Sequence, residues 1–201
     1  MRGIAAISIL VLLAAAWPAT AQTQPQHTFP TKEQITLLVV QAERAFDVYA
    51  NAVTLEAQLL GEIASGKEMV ARDRQVLNSG REVIRILKQR PDAFNTPMGF
   101  LLVSDLDDAS RNAALCAGQA ASLAATDFMV GQTASAQEKL SLGEACTGAS
   151  ALLYTVSETA FHLYSEVLFT TDETLKRALE VATKCGEALK VLQSKQPAKK
   201  P

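Results

Sequence analysis

The chain has 201 residues, 48% of them hydrophobic and 20% charged, with 19 basic and 21 acidic side chains, 3 cysteines and 2 histidines. The slightly acidic balance excludes a nucleic-acid footprint, which needs a basic face, and two histidines leave few routes to a Ser-His triad. The length suits one domain that buries roughly 70% of the unfolded chain's surface, so no disulfide is demanded by size.

Residues 1–21 read as a secretory leader. Arg2 is the short positive segment, Ile4 to Ala16 the apolar run, and Ala19-Thr20-Ala21 the small-residue cleavage signal. The apolar run is about thirteen residues, short of the roughly 20 that span a bilayer. No stable membrane insertion is therefore expected after cleavage, and the mature chain is expected to be periplasmic or secreted, where disulfides form. Residues 22–30, which include His27, read as a flexible lead-in. The helical-bundle domain is expected over 31–194, and 195–201 reads as a disordered basic tail.

Helix starts are marked by capping boxes at Thr31-x-x-Gln34, Ser65-x-x-Glu68, Ser135-x-x-Glu138 and Thr170-x-x-Glu173, and by Thr96 before Pro97. Five starts predict five helices. No run alternates with a two-residue period and no Asn-Gly hairpin signal occurs, so the fold class is all-α. The first helix, over about 32–62, carries an apolar stripe through Ile35, Val39, Ala42, Phe46, Tyr49 and Val53. Glu56 falls on that stripe; helical drift against a seven-residue repeat would shift the seam to Ala52, Leu55 and Leu59 and leave Glu56 at its edge. The second helix, over about 66–90, places Asp73 and Gly80 in its apolar stripe, and a buried Asp73 would need a partner.

The third helix, over about 97–131, is rich in alanine and is expected at the bundle's centre, because small residues on nearly every face let other helices approach. It also carries the densest charge cluster, Asp105, Asp107, Asp108 and Arg111. Asp107 to Arg111 has the spacing of an intrahelical pair. These four residues with Asp73 form the candidate polar site. The fourth helix, over about 136–169, and the fifth, over about 171–193, complete an elongated, mostly antiparallel bundle. Glu43-Arg-Ala-Phe-Asp-Val-Tyr49 echoes Glu158-Thr-Ala-Phe-His-Leu-Tyr164, so a duplicated hairpin would place Phe46 and Phe161 in equivalent positions.

Three cysteines leave one over. Cys116 and Cys146 lie equally far from the turn at Gly131 and both fall near inward stripes, so they are expected to form the disulfide. Cys185, in the apolar stripe of the fifth helix, is expected to be a buried free thiol.

Glu158, His162 and Glu166 stack on one helical face and could offer a metal an acid, an imidazole and an acid. A di-iron bundle, however, needs Glu-x-x-His on two helices, which this chain lacks, so the column reads first as a surface salt-bridge column. No Cys-x-x-Cys-His is present for c-type haem, no P-loop or nucleophile elbow occurs, and no cofactor is expected. The expected function is that of a non-enzymatic periplasmic or secreted helical bundle binding another protein as adaptor, inhibitor or chaperone-like module. The alternative is a bundle that binds a small ligand or a metal.

Overall fold

The computed structural model describes residues 28–195. The leader at 1–21, His27 and the tail from residue 196 onward lie outside the described residues. Among these residues helix is the only regular secondary structure, in four long helices: α1 (Lys32–Leu60), α2 (Ala64–Gln89), α3 (Pro97–Met129) and α4 (Thr133–Lys195), with a short 3-10 helix (Pro91–Asn95) between α2 and α3.

Two of the marked helix starts are made as the sequence writes them. Thr31 Oγ1 accepts from Gln34 N at 3.2 Å while Gln34 Oε1 accepts from Thr31 N at 2.8 Å, a reciprocal capping box. Thr96 Oγ1 accepts from Met98 N, with Pro97 in the first turn. The other three boxes are passed over. α2 begins at Ala64 with no side-chain cap, and Ser65 Oγ instead accepts from Gln119 Nε2 of α3 at 3.1 Å. α4 begins at Thr133, before Ser135, and runs straight through Thr170 for 63 residues.

The expected fourth and fifth helices are therefore one, and the count is four rather than five. The physical reason lies around Thr170: neither glycine nor proline stands between Phe169 and Thr174, and the hydroxyls there turn back onto the preceding helical turn. Thr171 Oγ1 donates to Val167 O at 2.7 Å and Thr174 Oγ1 to Thr170 O at 2.8 Å, while Thr170 Oγ1 itself is buried without a partner, so none of the three caps a new helix.

The helices form a ring. α1 packs on α2 and α4, and α3 packs on α2 and most extensively on α4; among the described residues α2 and α4 do not touch. Inter-helix pairs fix the register: Lys88 with Glu43 and Arg81 with Asp47 for α1 and α2, Ser79 with Asp105 and Ser65 with Gln119 for α2 and α3. For α3 and α4 they are Ser110 with Ser150, Cys116 with Cys146 and Asp127 with Lys139. In each case the numbers rise on one helix as they fall on the other. At the α3–α4 turn Gly131 takes φ of 82°, a region open chiefly to glycine.

The core is one cluster inside the ring, centred on Phe46, Tyr49, Leu87, Phe94, Leu102, Leu106 and Leu142. Gly80 is part of its architecture: a Cβ there would collide with the Phe46 ring. α3 is thus one corner of the ring rather than its centre. Ala109, Ala113, Ala120 and Ala124 face inward, but Ala114, Gly118, Ala121 and Ala125 are exposed. The duplicated-hairpin idea also fails, because α4 makes no second hairpin and Phe46 is fully buried while Phe161 is 54% exposed.

α4 outruns the ring. It would measure roughly 95 Å at 1.5 Å per residue, about twice α3. Val167 is the last buried residue among those whose burial is described, and from Leu168 to Cys185 none is buried. The inward stripe expected for a fifth helix is therefore open. Leu175, Leu179 and Val181 are exposed, and Cys185 is a free, exposed thiol rather than a buried one.

Candidate functional site

The sequence-expected polar site does not assemble as one cluster. Asp107 forms an ion pair with Arg111 one turn on, at 2.6 Å, with Arg111 largely in solvent and Asp107 half-buried. Asp105 turns the other way and accepts from Ser79 Oγ at 2.9 Å. Burial pushes its carboxyl up, the Ser79 hydrogen bond opposes that, and the exposed Asp108 adds to the rise. Asp73 lies elsewhere, inside the ring.

There Asp73 meets Glu56 of α1, and both are 1% exposed. Neither Glu56 Oε1 nor either Asp73 oxygen completes a hydrogen bond of regular geometry, and the same holds for the neighbouring Tyr49 Oη. Burial, then Asp73, push the Glu56 carboxyl up to about 8. Burial also raises Asp73, against the attraction of Arg72, whose Nε lies 3.7 Å away. Tyr49 is raised above the ordinary phenol range by burial first and by Asp73 second, beside Asn112. Burial in a low-dielectric core therefore favours the protonated form of both carboxyl groups, and the Asp73 charge adds to the rise of Glu56. They are sealed from solvent, so this pair is structural chemistry with no route for a substrate. Glu56 was expected at the seam's edge; the seam in fact keeps both Ala52 and Glu56 inside.

Cys116 and Cys146 are joined in a disulfide with Cα atoms 6.1 Å apart, both 1% exposed. One turn away Ser110 Oγ donates to Ser150 O at 3.0 Å and Ser150 Oγ to Ser110 O at 2.9 Å. This reciprocal pair and the disulfide hold α3 and α4 close along a seam that carries an open surface on its outer side.

That surface is a shallow groove along the outer side of the α3–α4 seam. Near the turn it is floored by Ala117, Ala121 and Gly143, with Leu140 and Thr147 along its α4 side. It continues past Ser110, Ala114, Ala151 and Tyr154. It opens into a hollow of about 440 Å³ where Phe100, Val103, Phe161, Tyr164 and Leu168 converge, with Asp107 and Glu158 at the rim. Gly99 lets Tyr164 lie against the start of α3, where its ring meets Phe94 edge-on at 6.0 Å and Phe100 at 6.4 Å. Phe100, Phe161 and Leu168 are each more than half exposed.

Of the groove residues the sequence singled out Asp107 and Glu158 as polar candidates and Phe161 only for its echo of Phe46; Phe100, Val103 and Leu168 were not singled out. The signal was there: Phe161 and Leu168 are large apolar residues off the buried positions Val156, Ala160 and Val167. Glu158 belongs to the groove rim, while His162 points outward with its ring 6.2 Å from Phe161. Among the described residues no three His, Cys, Asp or Glu side chains come together as a metal would need. Comparison of the chain with protein-family models, with curated proteins and with solved structures finds no match.

Proposed function

We propose that the chain is a non-enzymatic periplasmic or secreted protein, an elongated and mostly antiparallel helical bundle that acts by binding another protein along the α3–α4 groove. The observation that carries this reading is the groove itself, with Phe100, Phe161 and Leu168 open to solvent on helices otherwise packed in the ordinary way. Exposed aromatic and aliphatic side chains in a continuous concave strip, rimmed by Asp107 and Glu158, have the make-up of an interface core with a polar edge. The floor of small residues, Ala117, Ala121 and Gly143, lets a partner's backbone come close. The Cys116–Cys146 disulfide and the leader-like residues 1–21 support an oxidising compartment.

The test is photo-crosslinking in the living cell from a benzophenone side chain placed at Phe161, with the same group at exposed Glu68 on α2 as the reference surface. A defined crosslinked protein species from position 161, absent from position 68, is expected. If position 161 captures nothing beyond what position 68 captures, the reading fails.

A further inference from the structure

The exposed part of α4 and the groove beside it carry one continuous apolar column. Every seventh residue from Leu140 onward falls on it, and all are apolar or aromatic except Thr147, whose hydroxyl is turned back onto Gly143 O. On the ring side Leu140, Tyr154, Phe161 and Leu168 are 41%, 56%, 54% and 56% exposed. On the projecting arm Leu175 is 58% exposed and Ala182 is exposed too. The sequence continues the spacing to Leu189. A seven-residue column slips about 20° per repeat around a straight helix, so helices paired on it wrap with a left-handed twist. It is the pattern of a helix built to lie along another helix.

Leu168 sits at the middle. Leu140 to Leu168, along the groove, and Leu168 to Lys195, along the arm, are near-equal lengths of helix, each about 40 Å. An arm of this chain therefore has the length of the groove of this chain.

The charges agree. Among the described arm residues, Glu173, Lys176, Arg177, Glu180, Lys184 and Glu187 all fall off the column and off the positions flanking it. Lys176 is already paired with Asp172 on its own helix at 2.6 Å. Over 169–195 the arm carries four acidic residues (Asp172, Glu173, Glu180 and Glu187) and five basic ones (Lys176, Arg177, Lys184, Lys190 and Lys195), so it offers little net attraction to an anionic lipid surface, which interfacial helices meet with an excess of Lys and Arg. It equally places no like charges across a self-pairing.

We infer that the groove is occupied by a second copy of this chain: two α4 helices lie side by side in opposite directions about a twofold axis near Leu168, each arm seated in the α3–α4 groove of the other copy. This rests on the reading of the groove as a protein-binding surface and names its partner. A twofold interface uses one patch twice, and here the patch is arm plus groove. The small arm residues Ala178 and Ala182 come opposite the groove's large aromatic side chains, and the arm's Leu175 meets the wide end at Phe161. Leu175, on the column, and Leu179 beside it are covered without any change in the ring.

The experiment uses the full-length purified protein. Sedimentation equilibrium over a wide concentration range is expected to show a monomer–dimer equilibrium, weakened at least tenfold by Leu175→Glu with the thermal unfolding of the ring unchanged. Direction is read from Cys185. In separate variants Thr147, Ala151 and Tyr154, all exposed along the groove, are replaced by cysteine. Mild oxidation is expected to link Cys185 of one copy to at least one of these positions in the other, identified by peptide mapping without reduction. A monomer at every concentration overturns the inference, and so does a dimer linked only through Cys185 to Cys185, which would mean pairing in the same direction. A crosslink from position 161 to a different protein, with this chain monomeric, overturns the second copy while leaving the binding reading in place; absence of any crosslink removes both.

Discussion

Glu56 of α1 and Asp73 of α2 face each other in the middle of the ring with their side chains closed off from water. The Glu56 carboxyl is pushed up to about 8, by burial first and by Asp73 second. In the unfolded chain the same group titrates near its ordinary value of 4.5. Between those two values the folded protein holds a proton that the unfolded chain has lost, so stability falls as pH rises through that window. It is fully present below 4.5 and fully lost above 8. The sum is on the order of a few kcal/mol. Glu56→Gln is neutral throughout, so denaturant midpoints measured from pH 4.5 to pH 9 should show the variant gaining on the natural chain as pH rises. Parallel profiles for the two proteins would mean that the Glu56 carboxyl is not raised in the fold.

The disulfide closes a loop of sequence separation 30 between α3 and α4. In the chain-entropy account a loop of that size is worth about 3 to 4 kcal/mol. The ring has a continuous core of its own, so the double variant Cys116→Ser, Cys146→Ser is expected to fold with unchanged helicity and a melting temperature lower by roughly 6 to 16 °C. Calorimetry with and without reductant on the natural chain checks the same quantity, and the reduced natural protein should melt close to the double variant.

Much of this was legible in the sequence, for a reason visible in particular residues. Phe46, Tyr49 and Val53 repeat at helical spacing and are buried where the spacing puts them, because an amphipathic stripe is a local record of which side faces the core. The Cys116 and Cys146 pairing was legible because both are referred to the same turn at Gly131. What the sequence misplaced were consequences of the partner surfaces. Alanines on all faces of α3 say that close approach is possible, not that anything approaches, and Ala114 and Ala121 are open. Leu175 and Leu179 repeat like a core stripe, but among the described residues no other helix covers them. The polar cluster dissolved for the same reason. Asp73 and Asp107 stand on different sides of the bundle wall, which no spacing within one helix records.

The capping boxes give a sharper form of that contrast. Thr31 and Thr170 stand in the same sequence pattern, yet Thr31 caps α1 while Thr170 Oγ1 is buried inside α4 with no hydrogen-bond partner. Thr31→Ala is therefore expected to cost about 1 kcal/mol through the lost cap. Thr170→Ala removes an unpaired hydroxyl and puts a better helix former inside a helix; it should be neutral or stabilise by roughly 0.5 kcal/mol. Equilibrium unfolding in urea of the two single variants decides the matter. Equal losses at both sites would show that α4 breaks at Thr170 in solution.

Gly80 and Gly118 should likewise separate under one substitution. Both are helical, so alanine gains up to about 1 kcal/mol of intrinsic preference at either. At Gly118 the new methyl meets nothing within 4 Å, so Gly118→Ala is expected to stabilise by most of that amount. At Gly80 the methyl would occupy the space of the Phe46 ring, which is fully buried and ringed by the rest of the core. The ring has to move, at a cost of about 1 to 3 kcal/mol, so Gly80→Ala should destabilise in spite of its propensity gain. The double variant Gly80→Ala, Phe46→Leu tests the cause. If the clash is the whole effect, adding Gly80→Ala to a Phe46→Leu background should no longer destabilise. A penalty that persists without the ring would place the cause in the α2 backbone instead.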